Sequence, residues 1–144
     1  MNLRGEFEKV LREFMDATVG DVVGCILAKT DGLMIASVLP TGMNGERVAA
    51  LGATVAGMAE KLCKNLDQGE TIRIMVEGSK SSLLANPVGG NMLLIVLTSE
   101  SPNLGLILLE MERVAERVKN IIEKRLRSII SPQNSRTSWQ NSSR

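Results

Sequence analysis

The chain has 144 residues, 44% apolar and 23% charged, which fits one globular domain with a sizeable core and excludes wholesale disorder. It contains no histidine and no tyrosine, so the commonest general base and the commonest metal ligand are missing. A formal net charge of +1 gives no global pull toward nucleic acid or membrane.

The first segment, residues 2 to 17, reads as a helix. Leu3, Phe7, Val10, Leu11, Phe14 and Met15 recur at helical spacing with charges between them. Residues 22 to 29 form an apolar, strand-like run. Asp31-Gly32 is a hairpin signal, and Leu33 to Leu39 returns as a second strand. Residues 46 to 66 read as a second helix with two stripes. Val48, Leu51, Val55, Met58, Ala59, Leu62 and Leu66 are expected to face the core. Ala49, Gly52, Ala53, Ala56 and Gly57 are all small. Two glycines inside a helix cost about 1 kcal/mol each relative to Ala, which close approach of another backbone would offset. The reading is contact with a second subunit.

Thr71 to Glu77 alternates as a half-buried strand, with Ile72, Ile74 and Val76 on one side and Thr71, Arg73, Met75 and Glu77 on the other. Ser81 to Val88 is the next strand, and Pro87 near its end tolerates the missing N–H. Met92 to Thr98 is apolar throughout and should be central in the sheet. Asn103 or Ser101 can cap a last helix, from about Leu104 to Ile129. From Ser131 the sequence is polar and broken by Pro132, and reads as a disordered tail. The order is therefore α-β-β-α-β-β-β-α in one domain over residues 1 to 130, with a tail over 131 to 144. Short turns imply an α+β fold with a five-stranded, mostly antiparallel sheet. The middle helix carries the chain from one sheet edge to the other.

The chemistry of an enzyme is not visible. Gly78-Ser79-Lys80-Ser81 lacks the spacing of a phosphate-binding loop and reads as a hairpin turn. Cys25 and Cys63 sit among apolar residues with no histidine to activate them, which suits free thiols in a reducing compartment. No cofactor motif and no metal-ligand cluster is expected. The start of the chain lacks the apolar stretch of a signal peptide, and the apolar runs, such as Met92 to Leu97, are too short to span a membrane. A soluble cytoplasmic protein is the expectation. Residues 113 to 144 hold eight Lys/Arg and two Glu, a local charge of +6. Such an arm suits an acidic partner surface or weak attachment to an anionic lipid surface. Nucleic acid is disfavoured, because that basic stretch lacks interleaved aromatic residues.

The strand pair Gly24-Cys25-Ile26-Leu27-Ala28-Lys29-Thr30-Asp31-Gly32-Leu33-Met34-Ile35-Ala36-Ser37 resembles the opening hairpin of the roadblock family of dynein light chains and MglB-type proteins. Val76-Glu77-Gly78 and Pro87-Val88-Gly89 resemble its middle hairpin. Leu93 to Leu97 with Asn103-Leu104-Gly105 resembles its last strand and the start of its final helix. The resemblance covers residues 3 to 126. It implies a five-stranded sheet between helices, similar to profilin and longin folds, and a homodimer built on the third strand and the middle helix. The dimer surface would then comprise Ala49, Gly52, Ala53, Ala56 and Gly57 with Thr71, Arg73, Met75 and Glu77. The resemblance also implies binding of a small Ras-like GTPase, as a non-catalytic activator of its hydrolysis or as an adaptor. The alternative is a scaffold subunit of a motor or membrane-signalling complex. Docking would use the polar side of the middle helix: Asn44, Glu46, Arg47, Thr54, Lys61 and Lys64.

Overall fold

The apolar spacing of the first segment is realised as helix α1, Leu3–Ala17, in a computed structural model that describes the backbone of residues 2–142 and the side chains of residues 2–130. Asn2 caps the helix, its side-chain oxygen accepting from the Gly5 N–H at 2.7 Å. Strands β1 (Val22–Lys29) and β2 (Met34–Val38) form the first hairpin. At its turn Gly32 takes φ +95°, and the Asp31 carboxylate accepts from the Leu33 N–H at 3.0 Å. Helix α2 (Gly45–Asn65) follows, then β3 (Ile74–Glu77), β4 (Ser82–Val88), β5 (Met92–Thr98) and helix α3 (Leu104–Ser142). Asn103 supplies the cap of α3, accepting from the Leu106 N–H at 3.2 Å.

The five strands form one sheet in the order β2-β1-β5-β4-β3, with every neighbouring pair antiparallel. The all-apolar β5 is central, as its pattern requires, and α2 connects the two opposite edges, β2 and β3. Alternation along the strands builds two cores. Cys25, Leu27, Leu84, Leu94 and Val96 point to one face, under α1 and α3. Ile26, Ala28, Ala85, Leu93 and Ile95 point to the other, under α2. Helices thus cover both faces, and α1 and α3 are tied by the Arg125–Glu6 ion pair at 3.3 Å and by Arg117–Glu13.

Two boundaries depart from the sequence pattern. Strand β3 begins at Ile74 rather than Thr71. Its register with β4 ends at Ile74↔Ala85, and two steps further Ile72 would approach Pro87, which has no N–H to donate. Thr71, Ile72 and Arg73 therefore lie outside the sheet, and Ile72 is 77% exposed. The strand is not half-buried as expected: only Ile74 is buried. Helix α3 runs on to Ser142, past the end expected at Ile129 and through Pro132, which removes a single helical N–H donor. The side chains of the expected tail, from Ser131, lie outside the described residues, as do residues 143 and 144 altogether.

Candidate functional site

Helix α2 has two apolar faces and only one sheet to cover. The small face turns inward. Ala49, Gly52 and Ala53 are buried, and a Cβ added at Gly52 would stand 2.5 Å from Ile95 Cδ1. The helix lies so close to β5 that nothing larger than hydrogen fits there. The contact expected with a second subunit is therefore made with the chain's own sheet, and Ala49, Gly52 and Ala53 cannot belong to a dimer surface. Ala56 is half-buried against the same core, whereas Gly57 meets nothing within 4 Å.

The large face turns outward. Leu51, Met58, Leu62 and Leu66 are 56% to 61% exposed, where the pattern places them in the core. Val48, Val55 and Ala59 lie between the two faces, half-buried against the α2 side of the sheet. The small residues go inward because they permit close approach to β5, and the long ones are left for whatever covers them from outside. At this edge of the sheet Val76 is also exposed, as is Ile72 just before β3 begins. Met75 is half-exposed on the opposite face of β3. Beyond β3 the sheet has no further strand, so the outer backbone groups of β3 are free. The ridge of α2 and the open edge of β3 thus present a continuous demand for burial. The sequence signal lies in the two opposed apolar stripes; composition alone does not say which wins the sheet.

The polar residues singled out for docking separate into three groups. Arg47, Thr54 and Lys61 are spaced seven apart and form one stripe beside the aliphatic ridge. All three are exposed, and the Thr54 hydroxyl donates to the Ala50 carbonyl at 2.9 Å. Asn44 is the helix cap, accepting from the Arg47 N–H at 3.1 Å. Glu46 and Lys64 lie on a different side of the helix, where Lys64 pairs with Glu60 at 3.7 Å. The structure therefore brings three of the six together.

A cavity of about 780 Å³ opens between α2 and the sheet, where β3 has ended. Gly57, Glu60, Cys63, Asp67 and Thr71 line it, and Thr71 Oγ1 is buried there without a hydrogen-bond partner. None of these groups forms a nucleophile–base pair, and the Cys63 thiol has no imidazole to activate it. Among the described residues no group of three or more His, Cys, Asp or Glu could hold a metal ion.

The sequence matches the Roadblock/LC7 domain over residues 6–98. The chain belongs to the Roadblock/LC7 family. The uncharacterized protein MJ1340 of Methanocaldococcus jannaschii is 36% identical to it over 112 residues, 78% of this chain and 96% of the relative. Among solved structures the fold is similar to that of Myxococcus xanthus MglB, with a TM-score of 0.78 at 22% identity, over 86% of this chain and 92% of MglB. The gliding protein MglB of Thermus thermophilus gives a TM-score of 0.75 at 21% identity, over 86% of this chain and 94% of that one. The element order and the helix-covered antiparallel sheet are those of the Roadblock/LC7 fold. Among the described residues no helix is long and apolar enough to cross a membrane.

Proposed function

We propose that this chain acts as a homodimer and that the dimer binds a small Ras-like GTPase as a non-catalytic regulator, raising the partner's hydrolysis by reshaping the partner's own site. The observation that carries the reading is the outward ridge of Leu51, Met58, Leu62 and Leu66 beside an unpaired β3 edge. A twofold axis through β3 would pair the two edges antiparallel and set the two ridges against each other. Ile72, Met75 and Val76 extend that surface. Arg47, Thr54 and Lys61 then form a polar stripe on each α2, repeated twice across one face of the dimer. The absence of histidine and of a nucleophile–base pair suits a protein that lends shape rather than chemistry. Membership of the Roadblock/LC7 family and the likeness to MglB support the GTPase as the partner class.

Single-turnover GTP hydrolysis by a small GTPase encoded beside this protein, with and without the chain, tests the reading. Acceleration supports it. Binding without acceleration replaces it with the scaffold reading, and failure of both overturns it. Arg47 is assigned a docking role. Arg47→Ala should raise the Kd about tenfold and leave the rate at saturation unchanged. An arginine inserted into the partner's site would instead cost about three or more powers of ten in that rate.

A further inference from the structure

Helix α3 carries a second surface, unused by the dimer and by GTPase docking. The β4–β5 turn lies under it: a Cβ at Gly89 would stand 4.0 Å from Ile122 Cδ1. Past this point Leu126, Ile129 and Ile130 are 51% to 59% exposed. With Ile122 they follow the spacing i, i+4, i+7, i+8, which gathers them on one arc of roughly 100°. Arg127 and Arg125 flank the arc and Lys119 continues its line one turn earlier, while Glu123 borders it and Lys124 lies on the opposite side of the helix. Lys119, Lys124 and Arg127 make no ion pair among the described residues, while Arg125 is held by Glu6. From Lys124 to residue 144 the sequence has five Lys/Arg and no Asp or Glu. Residues 1 to 112 have nine basic and fourteen acidic side chains. The sequence is thus electrically lopsided, and its strongly positive end carries an exposed aliphatic arc of its own.

We propose that this end of α3 binds the surface of an anionic lipid bilayer. Aliphatic side chains and flanking cations are satisfied together only at the boundary between acyl chains and headgroups. A nucleic acid would meet the cations but leave three aliphatic side chains in water with no ring to stack. The net negative remainder of the chain is repelled by the same lipid surface, so binding would proceed with the α3 end foremost. The inference rests on neither the dimer nor the GTPase.

Co-sedimentation of the full chain with phosphatidylcholine vesicles, with and without phosphatidylserine, tests it. Binding is expected only with phosphatidylserine and is lost at high salt. Lys119→Gln with Arg127→Gln should weaken it about 25-fold, about fivefold for each cation removed. Leu126→Ser with Ile129→Ser should abolish it while leaving thermal unfolding unchanged. No binding to phosphatidylserine vesicles overturns the proposal, as does binding that survives Leu126→Ser with Ile129→Ser. Tighter binding to RNA than to the vesicles overturns it too. A fall in particle mass with the two serines, seen by light scattering, assigns the arc to a second copy and also overturns it.

Discussion

At the scale of single residues, the two glycines in the middle of α2 separate packing from helix propensity. Gly57 meets nothing within 4 Å, so Gly57→Ala should stabilise the chain by about 1 kcal/mol. Gly52 faces the fully buried Ile95, and Gly52→Val should destabilise it by about 2 kcal/mol through overpacking. Urea midpoints of the two variants should therefore move in opposite directions. Asn44 caps α2, and Asn44→Ala should cost about 1 kcal/mol in the same assay. Cys25 gives a pH signature. Burial pushes its thiol from 9.0 up to about 12, and the hydrogen bond from the Val38 backbone opposes this only in part. The folded thiol keeps its proton where the unfolded one has lost it. The resulting stability is complete below pH 9.0 and falls by about 1.4 kcal/mol per pH unit as pH rises toward 12. Cys25→Ala should lack that slope, which unfolding of both chains across the interval measures.

At the scale of elements, α2 and β3 hold the testable part of the proposed dimer. Leu51→Glu with Leu62→Glu places charge on the exposed ridge and leaves the inner core alone. It should halve the mass seen by light scattering and keep the helical circular dichroism. An unchanged mass would remove α2 from the interface. These two elements also mark how far the sequence could be read. Strands β1 and β5 were legible to the residue, because Asp31-Gly32 fixes one turn and an apolar run such as Met92 to Leu97 needs burial on both faces. Helix α2 was legible as a helix, but its orientation was not. Periodicity shows two opposed stripes and cannot weigh a close approach to Ile95 against burial of longer side chains. The small residues expected at a subunit contact accordingly lie against the chain's own sheet instead. For β3 the alternation from Thr71 to Glu77 suggested a longer strand. The length was set instead by Pro87 on the neighbouring strand, which local patterning does not contain. Among the docking candidates, spacing aligns Arg47, Thr54 and Lys61 on one stripe, and only the folded helix shows the Asn44 side chain bonded at the helix start.

At the scale of the whole molecule, the sheet order sets a gradient of protection. Strands β1 and β5 lie inside, under helices on both faces, whereas β3 is short, exposed and paired on one side only. Amide exchange should be slowest in β1 and β5 and fastest among the strands in β3. Dimerisation through β3 would slow that strand selectively as protein concentration rises, which native-state exchange at two concentrations would record. The order also carries a consequence for counting. A sheet has two ends, and twofold pairing through β3 uses the same end of both copies. The joined sheet would have ten strands and finish on β2 at either side. No copy could then be added in the manner of the first, so the association terminates itself at two. Any larger particle would have to use a different contact. Pairing through β3 alone reaches neither odd-numbered assemblies nor open filaments.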